Sequence, residues 1–194
     1  MALLLDLIGS ALIGGILVLQ LLNMSLFVQN ASFRSDNELT MQQNAKTLAE
    51  IINYDFRKIG YNFDSTAVLT AEQKKIKFVG DLERPGETGA GTIDTVEYFV
   101  LDSTYATSTS NPNDIVLVRV LNNKDSIAGP TLGLVDIKFS YLDSLFTATA
   151  DLSKIKYIKT ELWIEPTERA EDFITGEQDT VFTYWEFTIH PRNI

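Results

Sequence analysis

The sequence predicts an α+β chain: one long N-terminal helix packed on an antiparallel β-sheet domain. Three observations carry this expectation. Residues 7–28 form an apolar run of 22 residues without a single charge, and the first base is Arg34. Met41, Ala45, Leu48, Ile52, Phe56 and Ile59 then recur at gaps of four, three, four, four and three, the period of a helix with one apolar face. Beyond residue 60, Val, Ile, Phe, Tyr and Thr gather in short segments separated by polar turns, the pattern of strands.

The apolar run comes first. At ~1.5 Å per residue it is roughly 33 Å long, enough to span a bilayer core. A cleaved secretory signal has a basic start and a shorter apolar segment, so a retained membrane helix is the better reading. The missing basic leader is also what a leader already removed would leave. Ser10 and Gly14, and Ala11 and Gly15, place small residues four apart, a spacing that lets helices approach closely in lipid or in a bundle. Ordinary membrane-helix composition explains that spacing equally well. Gln20, Asn23 and Ser25 make the second half of the run more polar. If this helix melts locally on burial among neighbours, the expected place lies between Gly14 and Asn23, because glycine disfavours helix and Gln20 and Asn23 offer polar partners.

The striped segment follows without a break. Gln42, Gln43, Lys46, Glu50, Asn53 and Lys58 occupy its other faces, and Gly60 stands where a helix stop is expected. No Pro or Gly lies between Ile16 and Ile59, so one helix over residues 3–59 is predicted. A rival reading breaks it near Ser35, where Ser35 and Glu38 fit a capping box. The resulting organisation is a transmembrane helix at 1–33, an amphipathic helix packing on the sheet at 34–60, and a globular β-rich domain at 61–194. Met41, Ala45, Leu48, Ile52, Phe56 and Ile59 are the expected helix-to-sheet core.

Six strands are expected, at 75–79, 92–101, 114–121, 132–142, 155–164 and 180–189. Alternation is clearest at Ile137, Phe139 and Tyr141 against Lys138 and Ser140, and at Ile158, Leu162 and Ile164 against Lys159, Glu161 and Trp163. Polar turn-rich segments at 83–91, 102–113, 122–126 and 166–179 separate them. Such spacing suits an antiparallel sheet rather than alternating β and α units.

Composition narrows the function. The chain has 194 residues and a net charge of −10, and every acid but Asp6 lies beyond the apolar run. An acidic surface argues against nucleic acid, whose phosphates need clustered Lys and Arg. There is no cysteine, which removes disulfides, thiol chemistry and cysteine metal sites. No catalytic constellation is visible, and neither enzyme activity nor a cofactor is expected. Gly86, Gly89 and Gly91 make a glycine-rich loop, but no Lys and no helix start follow, and Glu83 and Glu87 would repel phosphate, so a turn is the reading. Asp102, Asn111, Asn113 and Asp114 offer hard oxygen ligands in a spacing that matches no EF-hand; they are ordinary turn formers, and no metal site is expected. His190, the single histidine, reads as a strand-end residue rather than a base. The sequon Asn30-Ala31-Ser32 lies inside the expected helix and reads as incidental.

Asp6 stands apart. An ionisable residue at the edge of an apolar span tends to have a partner, and its other reading is a marker of the membrane boundary.

Taken together, the start Ala2-Leu3-Leu4-Leu5-Asp6-Leu7-Ile8-Gly9, the stretch from Leu48-Ala49-Glu50-Ile51-Ile52 through Asn53-Tyr54-Asp55-Phe56-Arg57 to Lys58-Ile59-Gly60-Tyr61, and the ending Trp185-Glu186-Phe187-Thr188-Ile189-His190-Pro191-Arg192-Asn193-Ile194 resemble type IV pilin-like proteins. The match is nearest the minor-pilin and pseudopilin branch with a large β domain, which residues 132–142 also resemble. The resemblance implies storage in the bacterial inner membrane, extraction by the inner-membrane pilus assembly machinery, and an extracellular helical filament whose core is a bundle of N-terminal helices. Its partners would be copies of itself. It also implies that an early acid pairs with the N-terminal amine of a neighbouring subunit, a role only Asp6 can fill. The chain departs from the family pattern in having Asp where Glu is usual and no basic leader ending in Gly. Counting from Ala2 makes Asp6 the fifth residue, as in the family; counting from Met1 makes it the sixth. Asp6, Leu3, Leu7, Gly14 and Gly15 are the expected subunit-assembly residues. The function expected is that of a structural filament subunit. A minor pseudopilin priming or capping a type II secretion pseudopilus is one alternative, and a membrane-anchored binding domain that never polymerises is another.

Overall fold

The computed structural model describes residues 2–83, 86, 89–107, 109–129, 131–167 and 181–194. One helix, α1 (Ala2–Phe56), runs unbroken for 55 residues, roughly 83 Å at ~1.5 Å per residue. It passes straight through Ser35, so the break allowed by the capping-box pattern does not occur. The apolar run and the stripe lie on one rod.

The end of α1 comes three residues before Ile59. The Lys58 and Ile59 amides donate to the carbonyls of Asp55 and Phe56, a tightening of the last turn that satisfies carbonyls left open at a helix end. Gly60 then adopts φ +75°, and its N–H donates to the Val79 carbonyl at 2.9 Å. A Cβ there would collide with the Asn193 carbonyl, so glycine serves both the left-handed turn and the close approach of the C-terminal segment.

Among the described residues eight strands follow: β1 (Val68–Glu72), β2 (Lys75–Gly80), β3 (Asp94–Leu101), β4 (Val116–Leu121), β5 (Asp125–Ala128), β6 (Leu134–Leu142), β7 (Tyr157–Ile164) and β8 (Thr183–Ile189). All pair antiparallel, but in two sheets rather than one: β1-β2-β3-β4-β5 and β6-β7-β8. The chain turns between them at Leu132 and Gly133, both in the left-handed region. A few bonds stitch the sheets together. The Ile115 amide donates to Leu134 O and the Phe139 amide to Gln73 O, both at 2.7 Å, and the Tyr141 hydroxyl donates to Glu72 O at 2.9 Å.

Six strands correspond to the expected ones; β2 starts at Lys75 as expected, and the other five start two or three residues later than expected. Two were not expected. β1 is a five-residue edge strand of half-polar sequence. The expected 122–126 turn overlaps the start of β5, because Asn122 and Asn123 do form a turn, both at positive φ, immediately before it. Residue 180 of the last expected strand, residues 168–179 of the expected 166–179 turn, and Glu87 lie outside the described residues.

The core lies under α1 and belongs to both sheets. Met41, Ala45, Leu48, Ile52, Phe56 and Ile59 are all buried, with Ile76, Phe78, Val96 and Tyr98 from one sheet and Leu134, Ile137, Phe139, Ile158 and Leu162 from the other. Phe56 is the junction. Its ring meets Phe78 and Tyr98 edge-on, at 5.7 and 5.9 Å between centroids, and Phe139 at 5.8 Å. Edge-to-face aromatic pairs of this kind add ~0.5–1.5 kcal/mol each beyond area burial.

Candidate assembly surface

In the first half of α1 the described side-chain hydrogen bonds, from Ser10 to the Leu7 carbonyl and from Gln29 to the Ser25 hydroxyl, stay within the helix itself. Leu3 is 86% exposed, Leu7 69% and Phe27 68%. Among the described side chains of residues 3–33 none is buried; only Gly9 and Asn30 are even half-buried. The helix has the length and composition to cross a membrane, and its most apolar stretch is wholly uncovered. Exposed apolar surface on this scale marks a protein or membrane contact.

The expected assembly residues all lie on this bare rod. Asp6 is exposed on the second turn, with no hydrogen-bond or ion-pair partner among the described residues. Gly14 and Gly15 sit in regular helix, and a Cβ on either would meet nothing within 4 Å. Inside the subunit, therefore, neither position requires glycine. Any reason for small residues there must come from outside the chain. Leu3 and Leu7 likewise stand exposed in the isolated subunit.

The second half of α1 is held differently. Beside the buried stripe, Asp55 is itself buried and accepts two hydrogen bonds at 2.6 Å on one oxygen, from the Tyr98 hydroxyl and from Arg119 Nε. Arg119 Nη2 reaches the other oxygen at 3.4 Å. Burial first, then the Asp55 charge and hydrogen bond, push the Tyr98 hydroxyl far above its usual pKa and keep it a donor. Burial works against the charge on Arg119, but the hydrogen bond and charge of Asp55 outweigh it and hold the guanidinium above its ordinary range. A buried, paired charge of this kind fixes how α1 is rotated on β3 and β4. Sequence reasoning missed it. The signal was present: Leu48, Ile52, Asp55 and Ile59 also run at helical spacing, so an acid shares the buried face and requires a buried partner.

The other singled-out residues serve locally. Asp102 caps a single turn by accepting from the Thr104 amide at 3.0 Å. Asn111 donates to Glu165 at 2.9 Å, and Asn113 donates to the same carboxylate oxygen at 3.1 Å. Asp114 is buried. Gly91 donates its amide to Asp81 at 2.9 Å within a turn. His190 follows β8 and tilts against the Tyr157 ring at 4.8 Å. Among the described residues no three acids or imidazoles are placed to hold a metal ion.

No family model matches the sequence, and no curated protein matches it. Among solved structures, the fold is similar to that of a type IV-like pilin from Thermus thermophilus, with a TM-score of 0.50 over 78% of this chain and 97% of that one, at 9% sequence identity. At that identity the likeness is one of fold. A single N-terminal helix, bare in its first half and buried along one face in its second, on antiparallel sheets, with a fold similar to that of a solved type IV-like pilin, makes this chain pilin-like in architecture.

Proposed function

We propose that this chain is a structural subunit of an extracellular filament of the type IV pilin kind, assembling through the bare half of α1. The observation that carries the reading is the contrast along one helix: residues 41–56 bury their apolar stripe in the subunit's own core, while no described side chain of residues 3–33 is buried. Apolar surface removed from water is worth roughly 25 cal/mol per Å², so so many uncovered Leu and Ile side chains are not stable in water. A bilayer covers them while the subunit is stored in the inner membrane, and copies of the same helix cover them in the filament. The β domain then faces outward.

Asp6 is the charge that this packing must accommodate. In lipid it sits at the boundary of the span; in a helix bundle it leaves water and needs a partner, and the N-terminal amine of the next subunit is the group of opposite charge at the right end of the rod. Breaking a buried pair costs about 3–5 kcal/mol per subunit. The test is Asp6→Ala in cells that make the filament. Membrane insertion of the variant should be unchanged and sheared surface filaments should be absent. Normal filament yield would remove Asp6 from assembly. A chain that inserts but is never found in filaments, with or without Asp6, would be a monomeric anchor instead; one found only at filament ends would be a priming or capping subunit.

A further inference from the structure

We propose that the cavity between the end of α1 and the end of β8 is a binding site for a soluble oxyanion, a phosphate or carboxylate group gripped by Arg57 and Arg192. The cavity holds about 580 Å³, and its walls include Asn53, Arg57, Thr188, His190 and Arg192. That volume is within the range of small-molecule sites, about 300–1,000 Å³. In a chain of net charge −10, a hollow lined by two arginines, with no acid among its lining residues, is a local reversal of sign.

The basic residues around the end of α1 divide by task. Arg119 is committed to Asp55 at 2.6 Å. Lys58 donates to the Tyr54 hydroxyl at 2.9 Å and to the Leu82 carbonyl. Arg57 is not committed to an acid: among the described residues neither it nor Arg192 makes an ion pair. The Arg57 guanidinium is nevertheless held, because its Nε donates to Asn53 Oδ1 at 2.8 Å. That bond fixes the plane of the group through the nitrogen least useful for ligand binding and leaves both terminal nitrogens for a forked grip on an oxyanion. The end of β8 is held as well. Phe146 stacks on Tyr157 at 4.2 Å, and Tyr157 in turn carries His190 at 4.8 Å. Phe146 takes φ +59° to do so, an uncommon conformation for a bulky residue. β8 is the outer strand of its sheet, so the backbone edge turned away from β7 has no ladder partner among the described residues. Two guanidinium forks beside the open edge of β8 are a donor-rich set with no acid among the lining residues to favour a cation.

A lipid phosphate is a second source of the same group. With residues 1–33 in a bilayer, Asn53 lies 20 residues beyond Phe33, roughly 30 Å further along the helix at ~1.5 Å per residue, which places the cavity out of reach of headgroups.

The experiment titrates pyrophosphate into the full chain held in zwitterionic-lipid nanodiscs, following the amide signals of Thr188 and His190 by NMR and the heat of binding. The expected result is saturable one-to-one binding that shifts both signals. Arg57→Gln and Arg192→Gln should each weaken it about tenfold, the size of one lost charge-assisted pair, while Arg57→Lys keeps the charge, loses the fork and falls between. Lys124→Gln, an exposed cation elsewhere, should change nothing. Both arginines are solvent-facing, so unchanged thermal melting is expected and separates lost binding from lost fold. No saturable binding, or binding equally weakened by Lys124→Gln, would overturn the proposal. Anionic-lipid nanodiscs distinguish the source: shifts at Thr188 and His190 before pyrophosphate is added would assign the site to headgroups and overturn the soluble ligand.

Discussion

The two halves of α1 are one continuous rod with two sequence grammars. Residues 41–56 carry apolar side chains on one face only, and that face is sealed by both sheets. Residues 3–33 are apolar on nearly every face, and no face is sealed. A helix apolar all round is one meant to be surrounded. The stripe therefore specifies a partner inside the chain, and the uniform run specifies one outside it. The glycines repeat the lesson. Gly60 is wedged against Asn193 and has a reason within the subunit, whereas Gly14 and Gly15 face open space and have none.

The largest effect expected from this contrast is on solubility. Removing residues 1–30 should yield a soluble monomer, because every buried core residue among the described ones lies at position 41 or beyond. Sedimentation velocity of the shortened chain is the check; aggregation or unfolding would mean that the bare half supports the fold after all. Next is Phe56→Ala in that shortened chain. It removes a ring shared by Phe78, Tyr98 and Phe139 and should cost about 3–5 kcal/mol in chemical denaturation. A loss below about 1 kcal/mol would show that Phe56 does not join the sheets, since even a modest core truncation exceeds that.

A smaller effect is expected at the ion pair. Asp55→Asn keeps the shape but leaves Arg119 without its charge partner, a change in the range of about 1.5–3 kcal/mol for a hydrogen bond to a charged group. Combining it with Arg119→Met should restore part of the loss, because the uncompensated charge is then gone too. If the double variant were as unstable as the sum of the two singles, Asp55 and Arg119 would not be coupled in the fold.

Much of this was legible before any coordinates. The helical stripe depends only on local spacing, so all six of its members could be named, and six strands followed from β-branched and aromatic clustering. What escaped was long-range or short. Whether β5 continues to β6 in one sheet or turns away at Leu132 and Gly133 is decided by pairing across dozens of residues, on which periodicity is silent. β1 and β5 are edge strands of five and four residues, in which Thr, Glu, Asp and Ser blur the alternation. Asp55 was hidden for another reason: a helical-wheel search for apolar residues passes over the one acid on the buried face. The bare half of α1 was the most legible part of the chain. Its partner was the least legible, since nothing within one subunit covers it.

The central claim is that copies of this chain supply that cover, and structure determination of sheared surface filaments tests it most directly. The account predicts a reconstruction in which residues 3–28 of each subunit are surrounded by the same residues of its neighbours, Asp6 lies beside a neighbouring N-terminus, any loss of helix falls between Gly14 and Asn23, and the β domain lies outside. Filaments that lack this chain, or that contain it with residues 3–28 exposed or still in lipid, would contradict it.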